Sequence, residues 1–86
     1  MQKKINQRVS VNLVYNHKTK KVFPNLLLWN NRLYKLQKHG LHHTYKQGIT
    51  TFHVFTGCSG TLNFKLVLDS SSLIWVLEEV YDQTFR

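Results

Sequence analysis

Four histidines of this 86-residue chain have the residue type and spacing that most suggest a metal-binding or catalytic site: His39, His42, His43 and His53. Imidazole is a common zinc ligand, and it titrates near neutral pH. Adjacent side chains on a strand point to opposite faces, so His42 and His43 could not readily bind one metal ion. No Asp or Glu lies nearby in the sequence to complete a ligand set or to orient an imidazole. We therefore predict no metal site and no cofactor, and we interpret His42 and His53 as a solvent-facing cross-strand pair.

Cys58 is the single cysteine, so it cannot form an intramolecular disulfide. His53 is the nearest histidine that could activate it, yet it lies five residues back along its strand, at about 3.3 Å per residue. No acidic residue nearby could orient that base. The four acidic residues cluster near the C-terminus, and no phosphate-binding or dinucleotide glycine motif occurs. We predict that the chain is not an enzyme.

Charge is distributed very unevenly along the chain. The formal net charge is +8, eleven of the twelve Lys and Arg residues precede Asp69, and all four acidic residues lie at or after it. An electropositive surface of this kind attracts polyanions. The alternative is that the charge serves solubility, with lysines protecting exposed edge strands.

Basic side chains supply the candidate binding residues. Those expected to contact nucleic-acid phosphates are Lys18, Lys20, Lys21, Arg32, Lys35, Lys38 and Lys46, with His42 and His53 adding charge that depends on pH. Exposed aromatic rings could add base stacking. The expected partner is therefore DNA or RNA. The alternatives are an acidic protein partner that docks on the basic face or an edge strand, and self-association with a second copy.

Alternating apolar residues predict a single small domain. Residues 1–7 are expected to form a disordered or frayed tail, and residues 8–86 a single β domain. Residues 8–15 alternate as a half-buried strand does. Residues 22–23 are interpreted as a short return strand that Pro24 stops, because proline cannot donate to a β-ladder.

Residues 26–46 are predicted to hold a tight turn followed by one long basic strand. Asparagine tolerates positive φ, so Asn30-Asn31 can form a two-residue hairpin loop that places Trp29 opposite Arg32. Gly40 is expected to mark a bulge within the long strand.

A second hairpin is predicted around Gln47-Gly48. A two-residue loop there pairs Lys46 with Ile49 and places His42 opposite His53. A slip of one residue in this register would move every side chain to the other face.

The remaining strands complete an antiparallel meander. Residues 62–68 alternate, and their apolar face matches Phe52 and Val54 if the intervening loop has three or five residues. Residues 73–81 are apolar on both faces, which is typical of a central strand. We predict an all-β single domain, a meander of about six strands that forms an SH3-like small barrel or rolled sheet.

The N-terminal residues carry no signal for membrane targeting. They alternate in polarity and lack the apolar run of a signal peptide, and no stretch approaches the roughly 18 apolar residues of a membrane span. The expected location is cytoplasmic, with no membrane partner.

Three short motifs occur together in the chain. Trp29–Tyr34 holds a tryptophan before a turn followed by Arg-x-Tyr, Phe64–Asp69 reads Phe-x-Leu-x-x-Asp, and Trp75–Asp82 reads Trp-x-Leu-x-x-Val-Tyr-Asp. This combination resembles small uncharacterised bacterial all-β domains, some of them linked to actinobacterial translesion DNA-synthesis proteins. The resemblance implies the β fold, favours a nucleic-acid role and brings no catalytic residue.

Overall fold

Seven β-strands build the domain in a computed structural model that describes residues 2–37 and 41–82. The strands are β1 (Gln2–Asn16), β2 (Lys21–Trp29), β3 (Arg32–Lys35), β4 (His42–Gln47), β5 (Thr50–Ser59), β6 (Leu62–Asp69) and β7 (Trp75–Asp82). They form one antiparallel sheet in the order β3-β2-β1-β7-β6-β5-β4. The prediction of a single all-β domain is confirmed, with seven strands where about six were expected.

The long strand β1 makes the sheet roll. Its residues 2–9 pair with β7, whereas residues 10–16 pair with β2. The ladder with β7 is irregular around Asn6, which has a φ of 51°, and the ladder with β2 is irregular between Asn12 and Leu13, so the two irregularities lie on either side of the change of partner. Irregularities of this kind bend a strand. Residues 2–7 were expected to form a frayed tail. They instead begin β1, because this part of the backbone pairs with β7.

The two ends of the rolled sheet approach each other without pairing. Within the described residues, β3 and β4 form no ladder with each other, so the sheet is rolled and not closed as a barrel. The segment that follows β3 spans part of the gap. Leu36 donates its backbone N–H to the carbonyl oxygen of Asn25 at 2.8 Å, and Gln37 donates to that of Cys58 at 2.9 Å.

The hydrophobic core lies on the inner face of the roll. Its buried members are Leu27, Leu36, Phe55, Phe64, Leu66, Leu77 and Val80. They come from both halves of the sheet and from the segment after β3, so the core exists only when the sheet is rolled. We call the face that carries these residues the inner face, and the opposite one the outer face.

The β2–β3 hairpin has the predicted register. Trp29 lies opposite Arg32, and Asn30 and Asn31 adopt φ angles of 52° and 60°. Two consecutive residues with positive φ are typical of the tight turn that matches the twist of antiparallel strands.

Pro24 lies inside β2, where the sequence was expected to end a short strand. It pairs with Leu13 next to the irregularity between Asn12 and Leu13. On its other side, β3 pairs only with Leu26–Trp29, so no neighbouring strand needs the N–H that proline lacks.

The single long strand predicted for residues 32–46 is wrong. β3 ends at Lys35, and the chain then crosses to β4 at the opposite edge of the sheet. Leu36 explains the break, because it is only 3% exposed and packs in the core over Gly57. Gly40, the expected bulge, lies outside the described residues.

The β4–β5 hairpin turns one residue later than predicted. Its loop is Gly48-Ile49, and Gly48 supplies the positive φ of 64°. His42 is consequently opposite Phe55 and not His53. Because the shift between partners is two residues, the side chains keep their grouping by face, but the face of His42 and His53, expected to point to solvent, is the inner one.

The β5–β6 hairpin has a two-residue loop, not the odd-length loop expected. Phe55, opposite Leu66, belongs to the inner face. Val54 and Val67 face each other on the outer face and are also buried, 2% and 7% exposed. Apolar residues on both faces of β5 caused the wrong assignment.

The predicted central strand is confirmed, because β7 lies between β1 and β6 in the middle of the sheet. Within the described residues, no helix is long and apolar enough to cross a membrane.

A leucine in the centre of the sheet should contribute much of the stability. Leu77→Ala is expected to lower the free energy of unfolding by about 2–5 kcal/mol, because Leu77 is fully buried on β7 and its removal leaves a cavity. Chemical denaturation measures this change. The matched control is Leu33→Ala at a residue 64% exposed, expected to change stability by less than about 0.5 kcal/mol. Equal effects at both positions would contradict the described core.

Leu73 should be replaceable with a gain in stability. It adopts a φ of 62°, fixed by a 2.7 Å hydrogen bond from its N–H to the carbonyl oxygen of Asp69, while its side chain is 71% exposed. A bulky L-residue in this region costs about 1–2 kcal/mol, and asparagine tolerates it better. Leu73→Asn is expected to raise the unfolding free energy by about 1 kcal/mol in the same measurement. Leu73→Ala keeps the β-carbon and should give no comparable gain.

Candidate nucleic-acid interface

The predicted phosphate-binding residues of the first turn lie together at one end of the β1–β2 hairpin. Lys18, Lys20 and Lys21 are all exposed there. The carboxamide oxygen of Asn16 shapes the turn by accepting the backbone N–H of Lys18 at 2.9 Å and that of Thr19 at 3.3 Å. The turn presents three ammonium groups to solvent on a defined backbone.

Two further predicted residues lie elsewhere on the same half of the sheet. Arg32 follows the turn at the other end of β2. Lys35 lies on the outer face, since its neighbour Tyr34 packs inward at 5.2 Å from the ring of Phe64. Lys38 lies outside the described residues.

Three predicted residues do come together on one side of the β4–β5 hairpin. Strand alternation places His42 and Lys46 on the same side of β4. His53 shares that side, because it lies opposite Thr44, between them. This is the inner side of the sheet, next to its open edge. The residues expected to form one basic surface are therefore split, and this group brings two imidazoles and an ammonium to one side of a hairpin.

An aromatic stack supports His42. Its ring lies parallel to that of Phe55, with centroids 4.3 Å apart and an angle of 11°. Phe55 in turn packs against Trp75 at 5.5 Å. We call His42, His53, Phe55 and Trp75 the His42 cluster. His42 is exposed and Phe55 is buried, so the cluster leads from the core to the surface.

His53 holds the edge of the His42 ring. The two rings are 5.3 Å apart, and Nε2 of His42 lies 3.0 Å from Nδ1 of His53. One of these nitrogens must donate an N–H and the other must accept it, so the contact requires at least one neutral ring. The predicted pairing of the two histidines is present, as a diagonal contact and not as directly opposed residues.

Burial and neighbouring positive charge act on His42 in the same direction. Loss of hydration, followed by the charges of His53 and His43, holds the pKa of His42 below its ordinary value of 6.5. A ring with a lowered pKa is neutral at physiological pH and gains its proton only on acidification.

The outer face of the sheet carries a second ring pair and, on other strands, a group of paired charges. Tyr45 is stacked on Phe52 there, with centroids 5.1 Å apart and an angle of 16°. On neighbouring strands, Lys65 contacts Glu78 at 2.9 Å and Glu79 at 3.9 Å. The hydrogen bond to Glu78 is the main cause of the raised pKa of Lys65. These carboxylates lie on β7, and β4 and β5 contain no acidic residue.

Cys58 and His53 do not meet. They are five residues apart on β5 and so lie on opposite faces of the sheet. The thiol is directed to the side-chain oxygen of Gln37, at 3.7 Å. Among the residues that the structure describes, no three His, Cys, Asp or Glu side chains are grouped to hold a metal ion.

Sequence reasoning did not find the support that Phe55 and Trp75 give to His42. The available signal was Gly48, because a glycine at the first loop position sets the register that places His42 opposite Phe55. Trp75 packs against Phe55 because of the order of the strands in the sheet, and no local sequence pattern indicates this contact.

No family model, no curated protein and no solved structure matches this chain. Function must therefore be inferred from the geometry. The three motifs noted in the sequence lie in the β2–β3 hairpin, β6 and β7, which are structural parts of the sheet.

The titration of His42 provides a test of the His42 cluster. Proton NMR should show His42 titrating below its ordinary pKa, and His53→Gln should move that pKa upward because it removes a neighbouring positive charge. A folded-state pKa below the unfolded value also means that stability falls as pH drops below about 6.5. His17→Gln, in the exposed first turn, is the control and should leave His42 unchanged. An unshifted His42 pKa, insensitive to His53→Gln, would contradict the contact.

Proposed function

We propose that the domain is a non-catalytic binding module that contacts nucleic-acid phosphates through its basic residues. The observation that carries this proposal is the convergence of His42, His53 and Lys46 on one side of β4 and β5, two strands without an acidic residue. Phosphates bring the negative charge that such a surface lacks, and their counterions are released on binding.

The other basic residues would act over a longer range. Lys18, Lys20 and Lys21 are exposed in the first turn, and Arg32 and Lys35 lie on or beside β3. With a formal net charge of +8, they raise the local concentration of a polyanion and speed its approach. Contact with the ligand is assigned first to the His42 side, where imidazole and ammonium groups lie together.

Protonation of His42 would strengthen the attraction at acidic pH. His42 and His53 share one side with Lys46, and His43 lies on the opposite side of β4. Because the pKa of His42 is lowered, its ring becomes protonated only below pH 6.5. Binding at neutral pH therefore depends mainly on the lysines.

The free edge of β4 supports a second candidate function. Among the described residues, β4 pairs only with β5, and all six of its residues are exposed. An exposed edge can accept an extended peptide as a further strand, and the nearby basic groups would select an acidic one. The bacterial resemblance favours the nucleic-acid alternative.

Binding measurements with nucleic acids and with an acidic peptide separate these possibilities, and the salt dependence tests the phosphate contacts. Fluorescence anisotropy with labelled single- and double-stranded DNA and RNA should show an affinity that falls steeply with salt concentration. Lys46→Gln is expected to reduce the slope of log affinity against log salt by about 0.7–0.9, the loss of one phosphate contact.

Lys65→Gln is the control, because it removes the same charge from an ammonium already paired with Glu78. It should leave the slope nearly unchanged. Absence of binding to every nucleic acid at low salt would remove the proposal, and binding of an acidic peptide under those conditions would favour the second candidate.

A further inference from the structure

We propose that the exposed face of His42 is a stacking platform for an unpaired base, which makes single-stranded nucleic acid the preferred ligand. The proposal rests on the nucleic-acid function proposed above and assigns a ligand class to the same site.

The His42 ring is fixed in the way that a platform requires. One face lies against Phe55 at 4.3 Å and nearly parallel to it, and one edge is held by the 3.0 Å contact with His53. The residue is nonetheless exposed, and because one ring face lies against Phe55, we assign the base to the opposite ring face. A base placed there would continue the stack that begins at Phe55, with little loss of side-chain freedom.

An unpaired base suits this surface better than a duplex does. Bases within a duplex are already stacked on both faces, whereas single-stranded bases are free to stack on aromatic or histidine rings. Every base has such a face, so the platform is expected to tolerate different sequences.

Lys46 lies at a suitable distance for the backbone of the same strand. It is four residues from His42 on the same side of β4, about 13 Å at roughly 3.3 Å per residue. Its flexible side chain shortens that separation, so the ammonium can meet a phosphate near the stacked nucleotide.

The outer face carries a similar pair of stacked rings, but the charges on that face suit a phosphate backbone less well. Tyr45, stacked on Phe52, is 44% exposed, and Phe52 lies opposite Asp69 on the neighbouring strand. A carboxylate at this position disfavours a phosphate backbone. Tyr45 is therefore the matched control: an exposed ring, on the same strand, stacked on a β5 phenylalanine.

The experiment compares three labelled oligonucleotides of equal length by fluorescence anisotropy at low salt. They are a single strand with bases, an abasic strand with the same number of phosphates, and the duplex. The strand with bases is expected to bind about 5- to 150-fold more tightly than the abasic strand, the range for one stacked base. It should also bind more tightly than the duplex.

Variants then separate stacking from charge. His42→Gln should abolish the difference between base-containing and abasic strands, whereas His42→Phe, which keeps a ring and removes the titrating group, should preserve it. Tyr45→Ala should also preserve it. Thermal unfolding of each variant shows whether the domain is still folded, and His42→Phe retains an aromatic ring that can stack on Phe55.

Equal affinity of the wild type for the base-containing and abasic strands would overturn the platform while leaving phosphate binding intact. Loss of the difference in His42→Phe, or in Tyr45→Ala but not in His42→Gln, would also overturn it. Failure of all three oligonucleotides to bind would instead overturn the nucleic-acid function itself.

Discussion

The change of partner along β1 determines the shape of the whole domain. Residues 2–9 belong with β7 and residues 10–16 with β2, so the strand must bend and carry the sheet around with it. Leu27 from one half can then pack with Leu66 and Leu77 from the other. A flat sheet of these strands would leave those side chains in water, which costs about 25 cal/mol for each Å² of apolar surface. The same rolling leaves β4 at an open edge, where the inner face passes from core to surface.

Local chemistry made part of this fold predictable. Asn30-Asn31 identified a hairpin and its register, and the apolar character of β7 on both faces indicated its central position. Alternation grouped the β4 residues correctly by face, but it predicted the side of His42 and His53 to point to solvent, and that side is the inner one. Val54 and Phe55 are equally apolar and equally buried, on opposite sides of β5. Only the packing of distant strands distinguishes them, and a single sequence does not contain that information in local form.

The candidate site shows the same division between local and distant information. Composition identified the positive charge, and the histidines were expected to pair. Their support by Phe55 and Trp75 depends on the turn at Gly48 and on strand order. The break after Lys35 had no clear local signal, because Leu36 fits a strand pattern equally well. It is the core that draws Leu36 inward and separates the basic residues of β3 from those of β4.

The pairing of the first strand with the last also restricts when the protein can fold. The N-terminal half of β1 has no partner until β7 has been synthesised, and β7 is the middle strand of the finished sheet. During translation, the β2–β3 and β4–β5 hairpins can form locally, but the core cannot assemble until residues 75–82 have emerged from the ribosome. Such distant pairing carries a large loop-closure cost and is typical of slow-folding β proteins. Until then, the nascent chain exposes the apolar strands that the finished roll buries.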